Sequence, residues 1–265
     1  MNKLIITLFA LALFTSCNTE QWTPLDDIAI DGISATGLVI DGETIWLSDT
    51  DKNRVVQINL SGDILTEINE LERPMHLSMK DDMLLVPEYM MDTINILDKK
   101  KSIGYLDILS TPDAPAAVDK KGDDVIVADF YNHRIIYKKV GKSVNFGKKG
   151  KGAGEFHYPT DVQFAHDKIY VADAYNHRVQ VFDEDANHLL TFGEEEKMNA
   201  STGIYVTDQH VVVTDFENDR LLTYDLTGKL VDIIDEGLHR PTDVAIADSK
   251  MYVLNFKGQF ISVYQ

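Results

Sequence analysis

A unit of about forty residues recurs six times in this chain, and one spacing inside it never varies. The units open at Ala35, Pro74, Pro115, Pro159, Ser201 and Pro241. Fourteen positions after each opening stands a polar residue: Asp49, Glu88, Asp129, Asp173, Asp215 and Asn255. Successive openings lie 39, 41, 44, 42 and 40 residues apart, so the period wavers while the internal spacing does not. A period of this size marks stacked or radial repeats, in which no unit can bury its apolar faces alone.

The unit from Pro159 shows what each repeat builds. It holds four short apolar runs: Val162 and Phe164; Ile169 to Ala172; Val179 to Phe182; Leu189 to Phe192. Each is rich in β-branched and aromatic residues and bounded by Asp, Asn, His or Gly. None carries a 3.6-residue period long enough for a helix. The chain is therefore expected to be all-β, a six-bladed propeller of four-stranded antiparallel blades. Asn59-Leu60-Ser61-Gly62 and Asp225-Leu226-Thr227-Gly228 read as the hairpins between third and fourth strands, with Gly where φ is positive. The sixth unit stops at Gln265, one strand short. The stretch from Trp22 to Ile33, with apolar Trp22, Leu25, Ile28 and Ile30, is expected to supply that outer strand and close the ring.

Val127-Ala128-Asp129-Phe130-Tyr131-Asn132-His133-Arg134-Ile135 and Val171-Ala172-Asp173-Ala174-Tyr175-Asn176-His177-Arg178-Val179 resemble the core of the NHL repeat. The glycine-rich run from Gly147 to Gly154, leading through Glu155-Phe156-His157-Tyr158 to Pro159, resembles that family's link between blades. Unit five (Asp215, Asn218, Arg220) and unit one (Asp49, Asn53, Arg54) keep part of the pattern, and units two and six keep less. The resemblance spans Ala35 to Gln265 and implies a six-bladed propeller. It implies no activity, because relatives include binding modules, lyases and hydrolases. An acid and an Arg five apart, repeated in four units, read as ties between structural elements.

Lys3, an apolar run from Leu4 to Phe14, and Thr15-Ser16-Cys17 form the start of the chain. The run is too short for a membrane span and reads as a secretion signal. Its end resembles the bacterial lipoprotein lipobox, which implies cleavage before Cys17 and acylation of that residue. The expected organisation is a signal peptide at 1–16, anchor, linker and closing strand at 17–34, and the propeller at 35–265. Localisation follows: the bacterial envelope, membrane-attached through acyl chains only. The net charge of −18 argues against nucleic acid as a partner. The cluster Lys148, Lys149 and Lys151 reads as a solvated loop, and Gly141-Lys142-Ser143 lacks the upstream Gly of a phosphate-binding loop.

Two positions after each opening come Gly37, His76, Ala117, Asp161, Gly203 and Asp243. The even units thus carry ligand-type side chains, which a six-fold ring sets on alternate blades around the axis. His76, Asp161 and Asp243 are the candidate metal or ligand residues, for Zn²⁺ or Ca²⁺ at one mouth of the channel. The odd units, with only Gly or Ala there, are expected to leave room for a ligand. The NHL-like peptidyl-hydroxyglycine lyase is similar in ringing a metal with blades, though its ligands do not match these positions. The competing reading is that Asp in Pro-Thr-Asp bonds nearby backbone amides and forms the turn. Asp183-Glu184-Asp185-Ala186-Asn187 echoes a Ca²⁺ loop, but His188 stands where Gly is needed, and it reads as a hairpin.

The expected function is recognition of a protein, peptide or glycan by a monomeric, envelope-anchored propeller. The alternative is a metal-dependent lyase or lactone-type hydrolase working at the channel mouth.

Overall fold

The computed structural model describes residues 22–256 and 258–265. The expected signal peptide at 1–16 and Cys17 lie outside the described residues. Six four-stranded antiparallel sheets follow one another along the chain as blades of a propeller. In blade four the strands are Pro159–Ala165, Lys168–Asp173, Arg178–Asp183 and His188–Phe192, numbered from the axis outwards. Apolar clusters fill the space between blades; one joins Tyr170, Val179 and Val181 of blade four to Ile204, Val211 and Leu222 of blade five.

The invariant spacing is a statement of register. Pro159 faces Asp173 across the first two strands, as Ala35 faces Asp49, Pro115 faces Asp129, Ser201 faces Asp215 and Pro241 faces Asn255. Pro74 and Glu88 form the same pair as an isolated bridge. After this pair the register slips: Asp161, not Thr160, faces Ala172, and Asp243 faces Leu254. Such a bulge bends the strand and re-aims the side chain that follows.

The sixth blade closes as expected. Its strands Pro241–Ala247, Lys250–Asn255 and Phe260–Tyr264 are completed on the outside by Ile28–Ala29. Ile28 faces Ile261, and backbone bonds continue the contact outwards, from Leu25 N to Val263 O at 2.8 Å and from Thr23 N to Gln265 O at 2.8 Å. Pairing both chain ends in one sheet removes the exposed edge that an incomplete blade would leave. The two hairpins also form, with Gly62 at φ 86° and Gly228 at φ 83°.

The repeated acid is a latch. Asp173 accepts bonds from His157 N at 2.7 Å, Arg178 Nε at 2.9 Å and Gln180 Nε2 at 3.0 Å. Asp129 holds Asp113 N and Arg134 Nε in the same way, and Asp215 holds Asn199 N and Arg220 Nε. The buried carboxylate thus fixes the incoming link to the second and third strands. A second tie runs to the next blade from the residue four after that acid. His133 Nδ1 accepts Tyr158 N at 3.1 Å and His177 Nδ1 accepts Ala200 N at 3.0 Å. Asn53, Asp92 and Asp219 take Arg73 N, Ala114 N and Arg240 N with side-chain oxygens. All five residues sit at positive φ, between 52° and 58°, where Asn, Asp and His are the better-tolerated non-glycine residues.

Candidate functional site

The three candidate residues from alternate blades meet on the axis. His76, Asp161 and Asp243 each offer one donor atom, and these atoms lie within 4.8 Å of one another. His76 Nδ1 stands 3.4 Å from Asp243 Oδ2 and is a buried atom with no hydrogen bond. The bulge explains the convergence, because it brings the third residue of the first strand round to face the axis in blades four and six.

Two sequence expectations need correction here. The tripod does not sit at an exposed mouth: all three side chains are buried. Nor do the glycines of the odd blades open space beside the tripod. A Cβ on Gly37 would lie 2.7 Å from His76 Cα and 2.7 Å from Met75 O, and one on Gly203 would lie 2.7 Å from Thr242 O. Glycine is needed because the next blade's backbone occupies the space a side chain would take.

The turn-forming reading of the aspartates holds as well. Asp161 Oδ1 accepts Val162 N at 2.8 Å and Asp243 Oδ1 accepts Val244 N at 2.8 Å. The second oxygens reach across to the following blade: Asp161 Oδ2 accepts Ile204 N and Asp243 Oδ2 accepts Leu38 N, both at 2.8 Å. Each oxygen has a further lone pair, so these bonds orient the carboxylates without exhausting them. The backbone ties of blade four to five and of blade six to one therefore also aim two acids at one imidazole.

Burying three ionisable groups together has electrostatic consequences. Burial alone would depress the His76 imidazolium; the facing Asp243 carboxylate, with Asp161 behind it, outweighs this and lifts its pKa to about 9. Burial pushes the Asp161 carboxyl up to about 7; the His76 cation opposes that rise and the Asp243 charge adds to it. Two carboxylates against one imidazole leave the cluster short of positive charge, which is the condition for cation binding.

A cavity of about 230 Å³ runs from the tripod along the first strands towards their C-terminal ends. Its wall holds a feature that the sequence reading missed. Asp119 accepts Phe164 N at 2.8 Å across the blade boundary and pairs with Lys80 Nζ at 3.0 Å. Asp119 is four residues after its opening, two beyond the tripod position. Strand alternation puts those two positions on one face, so the same count extended by two would have found it.

The NHL-repeat profile matches residues 156–182. No curated protein sequence matches the chain. Among solved structures, the chain is similar to the catalytically inactive His-to-Ala variant of virginiamycin B lyase from Staphylococcus aureus with quinupristin. That pair shares 18% identity and a TM-score of 0.67, over 92% of this chain and 85% of the other. A luciferin-regenerating enzyme is similar at 13% identity and TM-score 0.66, over 91% and 94% of the two chains. The computationally designed Ika8 protein is similar at 15% identity and TM-score 0.57, over 87% and 71%. At these identities the likeness is one of fold.

Proposed function

We propose that this chain, a six-bladed NHL-repeat propeller, is a recognition module that binds a divalent cation on its axis and a small polar ligand in the cavity above it. The observation that carries the reading is the buried His76–Asp161–Asp243 cluster, whose imidazole Nδ1 faces Asp243 without a formed hydrogen bond, at the inner end of a cavity. The donors fit such an ion. A tetrahedral zinc with bonds of about 2.1 Å needs ligand atoms ~3.4 Å apart, and the His76–Asp243 pair stands at 3.4 Å. One nitrogen with two carboxylates favours Zn²⁺ or a similar transition metal over Ca²⁺, which prefers oxygen alone. Recognition is favoured over turnover because every carboxylate oxygen of the pair already holds a backbone N–H, which keeps both acids in one orientation. Cys17, acylated, would hold the module to the bacterial envelope; fractionation of cells carrying Cys17→Ala should move it out of the membrane fraction.

A second reading, a metal-dependent lyase or lactone-type hydrolase, is favoured by the imidazole and carboxylate facing each other at the inner end of that cavity. The fold shared with virginiamycin B lyase supplies a probe. Titration calorimetry with zinc, followed by incubation with quinupristin and mass spectrometry, separates the two. Zinc binding that His76→Ala abolishes, with quinupristin unchanged, supports recognition. Cleavage that needs both zinc and His76 supports the enzyme. Zinc binding unaffected by His76→Ala removes the axial site from both.

A further inference from the structure

The face that carries the turns between second and third strands presents a continuous aromatic platform. Tyr89, Phe130 with Tyr131, and Tyr175 come one or two residues after the latch acids Glu88, Asp129 and Asp173 of blades two, three and four. His157 and Tyr158 come just before the opening of blade four, and the pairing of Pro159 with Asp173 brings them to the same end of the sheet. The rings touch in sequence. Centroids lie 5.7 Å apart for Tyr89 and Tyr131, 6.0 Å for Tyr131 and Tyr158, and 5.1 Å for Tyr158 and Tyr175. Phe130 joins them, its ring centroid 4.7 Å from that of Tyr158.

The platform is wet where a core would be dry. Tyr131 and Tyr175 are 50% and 55% exposed, and Met90 and Met91, beside Tyr89 in the same turn, are 62% and 51% exposed. At the equivalent turn blade one has Thr50-Asp51; blades five and six carry only Phe216 and Phe256 there, a separate pair 5.9 Å apart with no tyrosine or methionine beside it. Two cations flank it. Arg73 lies over the Tyr89 ring at 4.8 Å, and exposed Lys149 is close enough to His133, itself 4.4 Å from Tyr158, to help hold that imidazole neutral after burial. Neither cation has an ion pair among the described residues. Asp113 stands beside Tyr89 and keeps the centre unattractive to carboxylates.

Tyrosine, phenylalanine, methionine and arginine together are the composition of protein-binding surfaces. Flexible thioethers adapt to varied apolar anchors, and tyrosines give rigid contact area at low entropic cost. We infer that this face of blades two to four binds a segment of another protein, one with an aromatic or aliphatic anchor for the tyrosines and flanking Asp or Glu for Arg73 and Lys149. The site is independent of the axial cluster, whose cavity runs along the first strands away from these turns.

The test is selection of random twelve-residue peptides displayed on phage against the full chain. Enriched peptides should combine aromatic or aliphatic residues with acidic ones. Their affinity should fall at least tenfold in Tyr131→Ala/Tyr175→Ala and about threefold in Arg73→Gln, and should weaken with salt. It should be unchanged in His76→Ala and in chelator, which keeps this result separate from the fate of the axial site. Both tyrosines are about half exposed and lie outside the apolar clusters between blades, so the double variant should stay folded at the assay temperature, as circular dichroism would show. Lack of enrichment, selection of basic peptides, or equal binding by the double variant overturns the proposal. So does a platform that binds arrayed glycans in place of peptides, or one that instead drives self-association lost in the double variant.

Discussion

Stability without metal should fall as the medium becomes alkaline, and His76 sets how far. Its folded-state pKa of about 9 stands above the ordinary 6.5, so the folded chain holds the imidazole proton more tightly than the unfolded chain does. The stability this confers is fully present below pH 6.5 and is lost as pH rises through 9. At 1.36 kcal/mol for each pKa unit, the loss between pH 6 and pH 10 is about 3 kcal/mol. Asp161, protonated in the folded state up to about pH 7, loses its proton in the lower part of the window and moves stability in the same direction. Urea unfolding with chelator present, followed by fluorescence of the buried Trp46, reads the difference. A bound divalent cation takes the place of the proton, so zinc should flatten the profile. His76→Gln should flatten it as well. Chelated protein with stability constant or rising from pH 6 to pH 10, or a His76→Gln variant with the parent's slope, would refute the electrostatic account of the cluster.

Two further substitutions test what holds the tripod in place. Asp173→Ala takes the buried carboxylate from Arg178, leaving the exposed Glu194 as its acid partner, and frees the incoming link; it should cost about 3 kcal/mol in urea unfolding and leave zinc affinity nearly unchanged if the protein is kept folded. Gly203→Ala forces a methyl group to within 2.9 Å of Asp243 Cα, and should cost about 1–3 kcal/mol together with most of the zinc affinity, measured by calorimetry.

The ring was legible because register and period are written in the same residues. Opening and latch acid are partners across two strands, so one missing or added residue between them would break the pair, and six ungapped copies follow. Closure by Ile28–Ala29 was legible from arithmetic, as one blade lacked a strand and one apolar stretch was unassigned. The tripod could be counted out for the same reason, each member lying at one fixed offset. Its burial could not. That depends on the bulge after Pro159 and Pro241 and on the close approach of the following blade, and a glycine opposite a ligand reads the same whether it makes space for substrate or for backbone. The ties from Asn53, Asp92, His133, His177 and Asp219 were hidden because three residue types play one part. Each places an acceptor where a positive φ turns it towards the next link.

The most direct test of the axial site is an anomalous-difference map at the zinc edge from crystals grown with equimolar zinc. The expected result is a single strong peak on the propeller axis, about 2.1 Å from a His76 ring nitrogen and from one oxygen each of Asp161 and Asp243. A map with no peak at the tripod, or with zinc only on surface residues, would contradict it and leave the three side chains as blade ties alone.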